Sequence, residues 1–190
     1  MIDIEPATAA LSRLVAGVSD DQLPDPTPCQ NTVADLLEHV NGFSLGFSAA
    51  AAKTEPPSGA SSSDGSGLGT DWRTRIPAQL DALAAAWRAE DAWSGMTKVG
   101  GLELPGEVAA AVAINEVLVH GWDLARATGQ RLDPDPAMVE TAYPFVEGVA
   151  TRSPDGSPGL FGPVVAIPDD APRFEQLLGL AGRDPQWSPE

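Results

Sequence analysis

Apolar residues recur at three- and four-residue spacing in five stretches of this chain, separated by segments rich in proline, glycine or serine. That period lays them along one face of an α-helix, and a helix with an apolar stripe must bury it against another element. The first stretch runs from Glu5 to Val18, with Leu11, Leu14, Val15 and Val18 on one face and Pro6 in its first turn, where a missing N–H does no harm. The second starts at Thr32, an N-cap residue with Asp35 three positions on as an acidic capping box. Its stripe is Val33, Leu36, Leu37, Val40, Phe43 and Phe47, and it ends near Ala52. The third runs from Trp72 to about Arg88 behind Asp71 as a cap, and Pro77 either kinks it or marks its first turn. The fourth runs from Pro105 to Thr128, with Gly129 just past its end, and the fifth from Asp135 to Val149. A short last helix covers Phe174 to Leu180.

Between these stretches the signals are those of loops. Leu23 to Cys29 carries three prolines and cannot be helical. Pro56 to Gly69 reads as a mobile loop, and Trp93 to Leu104, with Gly100 and Gly101 together, as a loop or a short hairpin. Thr151 to Pro172 reads as irregular, with Phe161 to Ile167 as one short extended piece. A strand-poor chain of this kind predicts an all-α bundle of four main helices plus extras, residues 1–190 forming one domain.

At 190 residues the chain is long enough to fold on a core of its own, without disulfides or a structural metal. Its net charge of −16 excludes general nucleic-acid binding and disfavours an anionic membrane surface. Cys29 is the only cysteine, so there is neither an internal disulfide nor a cysteine-based zinc finger. The acidic N-terminus lacks the pattern of a signal peptide and no run approaches the length of a membrane span, so a cytoplasmic location is expected.

The chemistry lies in two histidines. His39 shares a helix face with Leu36 and Phe43. In the fourth stretch Val112, Glu116, His120 and Leu124 step by four, which puts a carboxylate and an imidazole one turn apart in a core-facing row. Buried charge needs a partner. One explanation is a satisfied Glu116–His120 ion pair. The other is a divalent metal held by this pair with His39 from the facing helix, a donor set that suits zinc and also nickel, iron or manganese. Three protein ligands leave coordination positions open, as in catalytic zinc sites. Asp123 either orients His120 or caps the helix; Asp35 is best explained by the cap. Cys29 reads as a partly buried structural thiol, Ser44 and Ser48 as exposed helix residues, and Trp72, Trp87, Trp93 and Trp122 as core, with the lining of a substrate pocket as the alternative for one of them. There is no phosphate loop and no Ser–His–Asp grouping.

Pro28-Cys29, then Thr32-Val-Ala-Asp-Leu-Leu-Glu-His39-Val-Asn-Gly42, then Asn115-Glu116-Val-Leu-Val-His120-Gly-Trp-Asp-Leu124-Ala resembles the metal-binding N-terminal domain of mycothiol-dependent maleylpyruvate isomerases, in the DinB-like superfamily of thiol-dependent metalloenzymes. The closing Leu160-Phe-Gly-Pro163 and Gly182-Arg-Asp-Pro-Gln-Trp187 extend the resemblance. It implies a DinB-like four-helix bundle whose metal ligands are His39, Glu116 and His120. It also implies a divalent metal, zinc or nickel, with mycothiol as co-substrate, an electrophilic small-molecule substrate and a homodimer. The reaction implied is transfer or isomerisation through a low-molecular-weight thiol. A non-catalytic metal-binding bundle with a structural or regulatory role, and a metal-free interaction bundle, stand as alternatives. Where the family often has Gly-Trp before the second helix, this chain has Gln30-Asn31. The larger isomerases' C-terminal domain has no counterpart in these residues, so maleylpyruvate isomerisation itself is not implied.

Overall fold

The structure is a computed structural model that describes residues 2–56 and 67–189, so most of the loop expected between Pro56 and Gly69 lies outside the described residues. The described residues form six α-helices: α1 (Glu5–Ala16), α2 (Val33–Ala52), α3 (Trp72–Ala86), α4 (Gly106–Ala127), α5 (Pro136–Arg152) and α6 (Arg173–Leu180). A hairpin of β1 (Met96–Val99) and β2 (Leu102–Pro105) joins α3 to α4. The protein is all-α in class, and its helices follow the expected stretches closely.

Helices α1, α3, α2 and α4 pack in a closed ring, each against two of the others. Helix α5 lies on the outer side of α4, and α6 lies on α5. Helix α4 is therefore covered by α1, α2 and α5. Its sequence has a mean hydropathy of 1.3 over an 18-residue window, apolar enough to cross a membrane by composition, but 78% of that window is buried in the fold. The core is continuous, from Leu11 and Val15 through Leu36, Leu37, Ile76, Leu80 and Leu83 to Ile114, Leu118 and Leu177.

Local signals explain the boundaries. Thr32 Oγ1 accepts from the Asp35 backbone N–H at 3.2 Å, and Asp35 Oδ2 accepts from the Thr32 N–H at 2.8 Å. That reciprocal pair starts α2 and uses up Asp35. Asp71 does not cap α3 with its side chain; its carboxylate accepts instead from Arg75 Nε at 3.1 Å, one turn along. Helix α3 continues through Pro77, which is neither a start nor a break.

The segment from Trp93 resolves as the hairpin rather than a loop. Gly100 and Gly101 have φ of 56° and 83°, the two left-handed residues that a tight hairpin turn demands. Thr97 Oγ1 donates to the Ala50 carbonyl at 2.6 Å and fastens the hairpin to the end of α2. The extended piece expected over Phe161 to Ile167 is not a strand. It makes an isolated bridge between Ser157 and Phe161, a bond from the Val164 N–H to the Pro154 carbonyl at 2.9 Å and one from the Val165 N–H to the Gly179 carbonyl at 3.0 Å, so it runs extended past α6 without joining a sheet.

Candidate metal centre and cleft

Helices α2 and α4 lie side by side, and this contact brings the three residues of interest together. His39, in the second turn of α2, faces Glu116 and His120, one turn apart on α4. Glu116 Oε2 lies 3.1 Å from His39 Nε2 and 3.3 Å from His120 Nε2. One donor atom from each residue falls within 4.8 Å of the others. The imidazole rings meet edge to face at 4.6 Å, and Phe43 packs against both. Exposure falls inward across the group: the side chains of His39, Glu116 and His120 are 38%, 17% and 14% exposed.

Behind His120 the polar chain continues. His120 Nδ1 lies 2.9 Å from Asp123 Oδ2. A carboxylate can only accept, so Nδ1 carries the proton. Asp123 is fully buried, and its other support is Arg183, whose Nε and Nη2 donate to Oδ1 and Oδ2, both at 3.0 Å. Of the two readings of Asp123, the structure therefore shows the one that orients His120.

Cys29 joins this rear group. Its donor atom lies within 4.8 Å of those of His120 and Asp123, although more than ninety positions separate Cys29 from Asp123 in the chain. The thiol donates to Asn31 Oδ1 at 3.1 Å, and Thr27 Oγ1 lies 3.2 Å from the sulfur. The fork of Arg183 already satisfies Asp123, and a buried guanidinium beside it opposes a second cation there. We therefore read Cys29, His120 and Asp123 as support for the front group.

The electrostatics follow from burial and pairing. Burial pushes Glu116 up, but hydrogen bonds from His120 and His39, with their charges, outweigh it and hold its carboxyl well below the usual range. Burial pushes His120 down, yet its bonds to Asp123, Cys29 and Glu116 leave its pKa well above that of a free imidazole. Burial likewise pushes Asp123 up, and His120 and Arg183 bring it below its ordinary value.

A cleft of about 500 Å³ opens onto His39 and Glu116. Its walls are Phe43, Phe47 and Val112, the hairpin from Lys98 to Gly101, and Gly159 with Leu160. Gly42 and Gly46, one turn apart on α2, line it as well; a Cβ on Gly46 would meet nothing within 4 Å. Lys98, one of only two lysines in the chain, stands on the rim.

Two expectations need correction or refinement. Neither serine is exposed: Ser44 is fully buried and donates to the Val40 carbonyl at 2.7 Å, and Ser48 is half-buried and donates to the Ser44 carbonyl at 2.7 Å. Trp72, Trp87 and Trp122 are core residues as expected, Trp93 is partly buried against Trp87, and none of the four lines the cleft. Sequence reasoning missed Arg183 and the proximity of Cys29, because both depend on contacts between distant segments.

Fold and site thus define a helical bundle with a half-buried His–Glu–His cluster at the head of a cleft. Residues 4–125 match the family described as the mycothiol maleylpyruvate isomerase N-terminal domain, and the chain belongs to that family. Two uncharacterized proteins from two strains of Mycobacterium tuberculosis are each 36% identical over 185 residues, covering 93% of this chain and 93% of the relative. Among solved structures, a crystal structure of a mutant mycothiol-dependent maleylpyruvate isomerase aligns with a TM-score of 0.62 at 20% identity, covering 80% of this chain and 70% of that one. A second crystal structure of the mycothiol-dependent maleylpyruvate isomerase gives a TM-score of 0.53 at 19% identity, covering 74% and 65%. At these identities the structural likeness concerns the fold.

Proposed function

We propose that this protein is a metal-dependent enzyme that brings a small thiol of the mycothiol type to an electrophilic substrate. His39, Glu116 and His120 would hold the divalent ion, zinc or nickel. The observation that carries the reading is the convergence of the three donor atoms at the head of an open cleft. Ligands about 2.0–2.1 Å from a tetrahedral ion stand about 3.3–3.4 Å apart. Glu116 Oε2 lies 3.1 and 3.3 Å from the two imidazole nitrogens, and all three donor atoms lie within 4.8 Å of one another, so two of the three separations already match that spacing. A bound divalent ion supplies Lewis acidity that keeps a thiol ionised near neutral pH.

The chain's own residues do the rest. Asp123 accepts from His120 Nδ1 and so leaves Nε2 as the donor that faces Glu116. Phe43, Phe47 and Val112 wall the cleft with apolar surface, which excludes water from the reacting groups. Gly42 and Gly46 leave room for a ligand along α2, and Lys98, ion-paired with Glu55 at 3.1 Å, stands at the rim. The open cleft favours a catalytic role over a purely structural metal, whose coordination would be closed by protein.

The test combines elemental analysis of the purified protein with calorimetric titration of mycothiol. The expected result is about one divalent ion per chain and thiol binding that requires the metal. Gly46→Leu, which places a side chain where nothing now stands within 4 Å, should abolish thiol binding and keep the metal. Protein that takes up no metal on reconstitution, or that binds the thiol equally well after chelation, refutes the reading.

A further inference from the structure

We propose that Arg183 is a positioning residue that orients His120 through Asp123, so that the segment following α6 completes a site otherwise built from α2 and α4. The inference rests on the reading that His39, Glu116 and His120 hold a metal. It extends that site beyond residues 4–125, the part of the chain matched by the family.

The contacts are specific. Asp123 is wholly buried and its carboxylate receives three bonds: Arg183 Nε on Oδ1 at 3.0 Å, Arg183 Nη2 on Oδ2 at 3.0 Å, and His120 Nδ1 on Oδ2 at 2.9 Å. The side chain of Arg183 is 9% exposed, and its Nη1 donates to the Ala181 carbonyl at 3.1 Å. A planar fork on both oxygens fixes the plane of the carboxylate, which a single ammonium cannot do. The fixed carboxylate holds the imidazole in one orientation, with Nδ1 donating and Nε2 directed at Glu116. Without the fork, Asp123 can turn about its side-chain bond, and His120 loses the partner that holds its ring.

The backbone brings Arg183 to this place by a close approach. Gly182 has φ of +76°, and a Cβ on it would stand 2.7 Å from the Cα of Gly162. Only glycine meets both demands. The Arg183 N–H then bonds to the Leu178 carbonyl at 2.8 Å. Farther on, the Trp187 carbonyl accepts from Arg126 Nε at 2.9 Å. Asp123 and Arg126 are three residues apart on α4, so the segment is tied twice along one helix face. Both of the chain's closing motifs, around Gly162 and around Gly182, thereby find a role: they dock the arginine.

The experiment measures zinc affinity by competition with a chromophoric chelator, and exchange of the His120 Nδ1 proton with water by 15N NMR in metal-free protein. Arg183→Met should weaken zinc binding about 10–100-fold and speed the proton exchange. Arg183→Lys, which keeps the charge without the fork, should fall between this variant and the wild type. It carries the test if Arg183→Met loses its helical circular dichroism. Arg126→Met removes the neighbouring tie and leaves Asp123 untouched, so it should bind zinc as the wild type does. Wild-type zinc affinity in Arg183→Met, or equal weakening in Arg126→Met, overturns the proposal. If the wild type binds no zinc, the metal reading itself fails. The proton exchange then decides: unchanged exchange in Arg183→Met overturns the positioning role, and faster exchange upholds it.

Discussion

The His39–Glu116–His120–Asp123 cluster, half-buried in front and fully buried at Asp123, predicts that metal and protons act on stability with opposite pH dependence. In metal-free protein, His120 binds its proton more tightly when folded than when unfolded. Its contribution is complete below the unfolded value near 6.5 and is lost as pH rises toward the folded value. Across that window the folded state holds one extra proton, so stability falls by up to about 1.4 kcal/mol per pH unit. Glu116 and Asp123 act in reverse, because their folded values lie below their ordinary ones. Their contribution is complete above the unfolded values near 4 and disappears as pH falls through the folded ones, again by up to about 1.4 kcal/mol per pH unit for each group. Metal-free protein should thus be most stable between about pH 4.5 and pH 6.5. Zinc requires His120 without its Nε2 proton, so the stabilisation it adds should grow with pH over the range in which the metal-free protein weakens. Urea unfolding followed by far-UV circular dichroism, with and without zinc, measures both slopes. Metal-free stability that stays flat or rises from about pH 6.5 to about pH 8.5 refutes the argument, because it means that His120 is not held charged in the folded chain.

His120→Ala should be metal-poor and modestly less stable while it keeps its helices, since it leaves two ligands and deprives buried Glu116 of a partner; metal analysis and circular dichroism check this, with Ser48→Ala as the control. Chelation of the wild type should lower its melting temperature without loss of helicity at room temperature, because the core does not depend on the ion; thermal scans with and without chelator decide. Gln30 stands at φ +65°, a left-handed conformation that glycine adopts without strain, so Gln30→Gly should stabilise the protein by about 0.5–1 kcal/mol in urea titrations.

The helices of this protein follow from its sequence because their causes are local. A three-and-four stripe, the Thr32–Asp35 pair and Gly129 beyond α4 act within a few residues, so α2 and α4 could be drawn before any contact was known. The spacing of Glu116 and His120 is local in the same way; His39, the only other histidine, is one candidate partner from the facing helix, and the resemblance to a known family favours it. Other features had no local cause. The burial of Ser44 depends on what packs against α2, and the docking of the hairpin on α2 depends on Thr97 reaching the Ala50 carbonyl. Only the tertiary structure could set Cys29 and Arg183 behind His120, since these contacts join segments dozens of residues apart. A helix periodicity states which face is buried; it carries no information about which distant side chain will meet it. The orientation of His120, and with it the chemistry of the site, is therefore decided by packing: by a glycine contact between Gly162 and Gly182 that delivers one arginine to one carboxylate.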